Sequence, residues 1–192
     1  MEKEFVSNNL EETGEIARRV IDEFLDGRNV VLLEGELGAG KTTFSQFVLE
    51  LLGAEGPFTS PTFVIMKKYK LKWKVESGKL KVDNNSKVKT QNTNYKLQIK
   101  HKTQVTNPKQ QKSNKIENRK SKIENIYHID CYRIEEEGEM LDLGWEEIVA
   151  DKQSLVLVEW PERITGILPE KYVKINLRIK SEKKREMDII IK

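Results

Sequence analysis

Apolar residues are spaced along the chain in three ways, and each predicts a different element. From Leu10 to Leu25, Ile16, Ala17, Val20, Ile21 and Phe24 recur at helical spacing, the stripe of an amphipathic helix laid on a core. Asn9 with Glu12 three residues on resembles a capping box at its start, and Gly27 supplies a stop. Two runs, Val30–Leu33 and Leu155–Val158, are apolar without interruption, as suits strands covered on both faces of a parallel sheet. Further strands are predicted at Phe63–Tyr69 and Ile126–Ile134. Val173, Ile175, Leu177 and Ile179 alternate, Ser181–Lys184 turn, and Met187–Ile191 close the chain, an antiparallel hairpin expected at the sheet edge. Helices are predicted at Phe44–Leu52, with Phe44, Phe47, Val48 and Leu51 facing the core, and at Glu135–Leu141 and Trp145–Ala150, separated by Gly144.

Between Leu71 and Glu124 the pattern decays. Leu71, Trp73 and Val75, then Leu80 and Val82 across Glu76–Lys79, predict a hairpin lengthening the preceding strand. From Asp83 onward apolar residues thin out and nearly vanish by Asn107. Such a segment cannot offset an ordering entropy of ~1–2 kcal/mol per residue, so most of it is expected to be mobile.

Charge sharpens that division. The 192 residues carry a net +3, yet residues 71–124 hold 14 lysines and one arginine against four acids, a net of +11. An acidic body therefore carries a basic insert. No apolar run approaches the ~20 residues of a membrane span, and Met1–Glu4 is acidic rather than a basic leader. A soluble, cytoplasmic protein without membrane attachment is expected. Cys131 is the single cysteine, which excludes an internal disulfide or a cysteine zinc cluster and reads as a small packing residue.

The chemistry begins where the strand Val30–Leu33 runs into Glu34-Gly35-Glu36-Leu37-Gly38-Ala39-Gly40-Lys41-Thr42-Thr43. Gly35 through Thr42 fits G-x-x-x-x-G-K-[ST], with a strand before it and a helix after it. Glycines let backbone N–H groups turn inward around an anion, and the helix adds the positive end of its dipole. Lys41 is placed to neutralise β- and γ-phosphates and the Thr42 hydroxyl to enter a Mg²⁺ shell. Together these elements predict a P-loop NTPase fold in one α/β domain over residues 1–192. Its central sheet is mostly parallel and flanked by helices, with an antiparallel C-terminal hairpin and the insert at about 71–124.

Mg²⁺ in such sites needs one or two carboxylates, and ligands gather at the carboxyl ends of parallel strands. Asp130 and Glu159 end two predicted strands. Each is either a metal or water-orienting group or a strand-end acid paired with a base such as Arg133. Thr62, after the phosphate helix and before the next strand, is either part of a nucleotide-sensing loop or of a simple Ser-Pro-Thr turn. His128 alternates with Asp130 on one strand face and carries little weight alone. No Asn-Lys-x-Asp guanine signature occurs, since Asn114-Lys115-Ile116-Glu117 ends in Glu, which favours ATP over GTP.

Four motifs in order, Gly35–Phe44, Ser60-Pro61-Thr62-Phe63, His128-Ile129-Asp130-Cys131-Tyr132-Arg133 and Leu157-Val158-Glu159-Trp160-Pro161, resemble the TsaE family of bacterial tRNA threonylcarbamoyladenosine modification. The resemblance covers essentially the whole chain outside the insert. It implies an ATPase, weak alone, that binds a heterodimer of TsaB and TsaD type proteins and reaches tRNA through that complex. Hydrolysis would reset the complex between turnovers. The resemblance further implies that Lys41 and Thr42 take phosphate and Mg²⁺ together with Glu36 to Thr43. It makes Thr62 part of the sensing loop, gives Asp130 and Glu159 the metal and hydrolytic water with Trp160 beside them, and sets Thr13 on the adenine side. Phe47, Cys131 and above all the long insert depart from the family pattern. Two other readings stay open: a small-molecule kinase on the same scaffold, and an RNA-binding module through the insert.

Overall fold

The computed structural model describes residues 1–71, 73–76, 79–82 and 123–192. The mobility expected from Asp83 onward falls outside the described residues.

Seven strands form one sheet: β1 (Glu2–Ser7), β2 (Val30–Glu34), β3 (Met66–Lys70), β6 (Asn125–Asp130), β7 (Ser154–Glu159), β8 (Val173–Ile179) and β9 (Arg185–Ile191). Their order is β1-β9-β8-β2-β7-β6-β3. The inner four, β8, β2, β7 and β6, run parallel, and β3, β9 and β1 are added antiparallel to their neighbours. The uninterrupted apolar runs are the middle of this sheet. Val31 and Leu33 of β2 and Leu155 and Leu157 of β7 pack with helices α1 (Leu10–Arg19) and α2 (Lys41–Leu52) on one face. Val30, Leu32, Val156 and Val158 pack on the other face with Met140, Trp145 and Ile148. These last come from the short helices α3 (Glu137–Asp142) and α4 (Trp145–Ala150). Each such side chain, buried from water, is worth roughly 1.5–3 kcal/mol, so the run Val30–Leu33 alone anchors two layers.

Helix α1 starts on the expected cap. Asn9 accepts the Glu12 N–H at 2.8 Å through its side chain, and Glu12 reaches back to the Asn8 N–H at 2.8 Å. The expected helix continues to Phe24, though its last turn, Val20–Phe24, is π-helical.

Several boundaries differ from the sequence expectation, and the strand predicted to run to Ile134 ends at Asp130. The C-terminal hairpin β8–β9 does not form the sheet edge, because β1 pairs with β9 along Glu2–Ser7 and takes that place. β1 is mostly polar, with only Phe5 and Val6 to announce it. Phe63 and Val64 do not belong to the following strand: they stand 83% and 57% exposed in a turn closed by Val64 N–H to Pro61 O at 2.8 Å, and β3 begins at Met66. At this turn the Thr62 hydroxyl bonds Asp130. Finally, β4 (Trp73–Glu76) and β5 (Lys79–Val82) do pair as the expected hairpin, but as a separate two-stranded sheet. Among the described residues no helix is long and apolar enough to cross a membrane.

Candidate phosphate and carboxylate site

The glycine-rich loop leaves β2 under a tight constraint. Gly35 has φ +148°, and a Cβ there would lie 2.3 Å from the Leu177 carbonyl oxygen of β8. Only glycine allows the neighbouring strand so close. Gly38 and Gly40, at φ +80° and +104°, make the remaining turns, and α2 opens at Lys41. The Lys41 ammonium donates to the carbonyls of Gly35 at 2.6 Å and Glu36 at 3.0 Å and lies 3.7 Å from the Trp160 ring centroid. Burial lowers its pKa, opposed by the carboxylates of Glu159, Glu162, Asp130 and Glu36.

Parallel pairing of β6 with β7 sets Asp130 directly opposite Glu159. Both are buried. Glu159 accepts a hydrogen bond from the Thr42 hydroxyl at 2.8 Å on Oε2, while Oε1 meets His128 Nε2 at 2.6 Å and the Ser45 hydroxyl at 3.4 Å. Asp130 accepts from the Thr62 hydroxyl on Oδ2 and from the Tyr132 N–H at 3.0 Å on Oδ1. Arg133 pairs with neither acid; its guanidinium lies over the Phe63 ring at 4.7 Å. Lys41, Thr42, Thr62, Asp130, Glu159 and Trp160 are thus brought to one end of the sheet. Trp160 itself takes a left-handed conformation, φ 58°, and packs on Tyr132 with ring centroids 5.0 Å apart. Ile65, beside Thr62, is also left-handed at φ 62°. A β-branched residue there is strained, and its carbonyl accepts the Asp130 N–H at 2.8 Å.

Thr13, Gly38, Ala39, Gly40 and Thr43, with Leu177 and Arg185, line a cavity of about 460 Å³ beside the loop. The buried Thr13 hydroxyl is within hydrogen-bonding distance of Ser7 Oγ, 3.0 Å, and Asn9 O, 3.1 Å. Glu36 and Leu37 form the exposed crest of the loop, Leu37 at 80%.

Sequence reasoning undervalued His128 and passed over Ser45 and Arg185. His128 sits two residues before Asp130 and Ser45 three after Thr42, so period-2 and period-3.6 spacing place both on the faces that meet Glu159. Arg185 is 146 residues from the loop carbonyl it bonds, and no local pattern reveals it.

The family model described as "Threonylcarbamoyl adenosine biosynthesis protein TsaE" matches residues 7–81 and 88–187. The chain belongs to this family. All four sequence motifs lie inside the match. Among the TsaE proteins, that of Bacillus subtilis is 30% identical over 179 residues, 93% of this chain and 79% of the relative. That of Rickettsia felis is 27% identical over 186 residues, 96% and 78% respectively. Both carry the name "tRNA threonylcarbamoyladenosine biosynthesis protein TsaE". The crystal structure of Bacillus subtilis YdiB superposes with a TM-score of 0.56 at 22% identity, covering 98% of this chain and 84% of that one, a likeness of fold. Membership places the chain in tRNA threonylcarbamoyladenosine biosynthesis.

Proposed function

We propose that the chain is the ATP-hydrolysing member of that machinery, acting in the cytoplasm on a heterodimer of TsaB and TsaD type proteins and resetting it between turnovers. The observation that carries this reading is the hydrogen bond from the Thr42 hydroxyl to Glu159 Oε2 at 2.8 Å. It joins the phosphate loop to a buried strand-end acid, whose neighbour Asp130 is bonded to Thr62.

The donor set suits Mg²⁺ with a nucleotide. Among the described residues no three His, Cys, Asp or Glu side chains converge as a metal cage, and Mg²⁺ beside phosphates requires only one or two carboxylates, with water and phosphate oxygens completing its shell. Thr42, Asp130 and Glu159 would hold it. Bound there, the ion would supply charge neutralisation across the β- and γ-phosphates. Lys41 would exchange its two carbonyl partners for phosphate oxygens. Glu159, steadied by His128, would orient a water, and Asp130 would relay the presence of the terminal phosphate to Thr62 and the strained turn around Ile65. The cavity beside Thr13 would take the adenine. The insert at about 71–124 is a tolerated interruption of a single domain on this reading.

Titration of a non-hydrolysable ATP analogue with Mg²⁺ tests the site. Wild type should bind, and Lys41→Ala should weaken binding at least about a hundredfold, since a buried charged contact to phosphate is lost. Equal binding by the two proteins would remove the phosphate-loop assignment.

A further inference from the structure

We infer that Arg185, from the far end of the chain, is a positioning residue for phosphate binding: it holds the Gly38 and Ala39 carbonyls, which leaves the Gly40 N–H to face the anion. The inference rests on the nucleotide-binding reading and adds a residue to it. Arg185 Nε donates to the Ala39 carbonyl at 3.1 Å and Nη2 to the Gly38 carbonyl at 3.4 Å. Nη1 reaches the carbonyls of Ser181 at 2.8 Å, Lys184 at 3.1 Å and Glu182 at 3.3 Å. One guanidinium therefore clamps the turn between β8 and β9 to the phosphate loop.

The clamp matters because a planar trans peptide points its C=O and the next N–H in opposite directions. With the Ala39 carbonyl held by Arg185, the Gly40 N–H is directed away from Arg185. With the Gly38 carbonyl held, the Ala39 N–H is turned to the Glu36 carbonyl, which it meets at 3.1 Å. The Gly40 carbonyl accepts the Phe44 N–H at 2.8 Å. The carbonyl oxygens of Glu36, Gly38, Ala39 and Gly40, which would repel a phosphate, thus have partners other than Lys41, the arrangement an anion nest needs. Charge adds to geometry. Among the described residues Arg185 bonds only neutral carbonyls, so its positive charge is left to act on whatever the loop holds. No lysine reproduces this, because the flat fork reaches two separate segments at once.

Arg185 also lines the 460 Å³ cavity, and it closes the β8–β9 turn, so the test has to separate three roles. Calorimetric titrations of the full chain with ATP and with inorganic tripolyphosphate, which has no base, do so when run on wild type, Arg185→Met and Arg185→Lys, with unliganded melting curves for each. Arg185→Met should bind both ligands about tenfold more weakly, by the same factor for each, and Arg185→Lys about threefold more weakly, with the unliganded folds intact. Loss for ATP with unchanged tripolyphosphate binding would assign Arg185 to the base side and overturn the inference. Unchanged binding of both would reduce it to a turn closure. If Arg185→Met does not fold, Arg185→Lys decides, and wild-type affinity for tripolyphosphate in that variant overturns the inference. Wild type binding neither ligand would instead remove the nucleotide reading, and this inference with it.

Discussion

Replacing Gly35 by alanine tests how the sheet shapes the glycine-rich loop. The new Cβ would sit 2.3 Å from the Leu177 carbonyl oxygen, about 1 Å inside an ordinary carbon–oxygen approach of ~3.3 Å. Backbone, not a flexible side chain, is in the way. Either β8 withdraws from β2, pulling on the pairing of Leu33 with Ile175 and Glu34 with Asn176, or the loop moves. Overpacking of this kind costs about 1–3 kcal/mol, and a side chain at φ +148° adds another 1–3 kcal/mol or so. The total, near 4 kcal/mol, should lower the melting temperature by about 8–16 °C in a chain of this length. Gly27→Ala is the control. Gly27 is also left-handed, φ +67°, yet a Cβ there meets nothing within 4 Å, so only the conformational cost of about 1 kcal/mol remains, some 2–4 °C. Thermal unfolding followed by circular dichroism reads both. If Gly35→Ala melted within 4 °C of Gly27→Ala, the close approach of β8 would not be shaping the loop.

Three further outcomes follow from the packing. His128→Leu deprives Glu159 Oε1 of its 2.6 Å partner and leaves the Ser45 hydroxyl at 3.4 Å; losing such a buried hydrogen bond costs about 1–3 kcal/mol, and the double variant His128→Leu with Glu159→Gln should recover part of the loss in a denaturant-unfolding cycle. Burial, with Asp130 and Glu162 nearby, pushes the Cys131 thiol up to about 12. Only the thiolate is nucleophilic, so iodoacetamide at pH 8 should label the chain in denaturant and not when folded; the raised value also means stability should decline as pH climbs from about 9 towards 12. Replacing residues 72–122 by a four-residue turn should leave the melting temperature no lower, because Lys70 and Asn125 are already register partners and a shorter loop saves roughly 2 kcal/mol of closure entropy; tRNA affinity across a salt series, measured on the same variant, reads any contribution of the lysines.

What was legible in the sequence had local or periodic causes. Val30–Leu33 and Leu155–Val158 announce buried parallel strands because both faces of each are covered. The loop from Gly35 to Thr42 is legible because its turns at positive φ and the close approach of β8 admit few residue types. Asp130 and Glu159 could be placed at strand ends, and parallel pairing then set them side by side. What escaped depended on distant partners. β1 is mostly polar, and it is a strand paired to β9. Phe63 and Val64 look like strand residues, but they lie in a turn closed by Val64 N–H to the Pro61 carbonyl, next to the bond from Thr62 to Asp130, and β3 begins only at Met66. The pairing of Glu159 with His128 rather than Arg133 follows from register, which composition does not reveal. Arg185 bonds the loop across the whole length of the chain.

The most direct test of the proposed function is the rate of ATP hydrolysis by the full chain, with Mg²⁺, alone and with the TsaB–TsaD type pair, for wild type and Glu159→Gln. Wild type should turn over slowly alone and faster with the pair. Glu159→Gln should still bind ATP, because the carboxamide can accept from Thr42, but should lose the partner-stimulated rate. A wild-type rate unaffected by the pair, or a Glu159→Gln variant as active as wild type, would contradict the assignment of this site to partner-coupled hydrolysis.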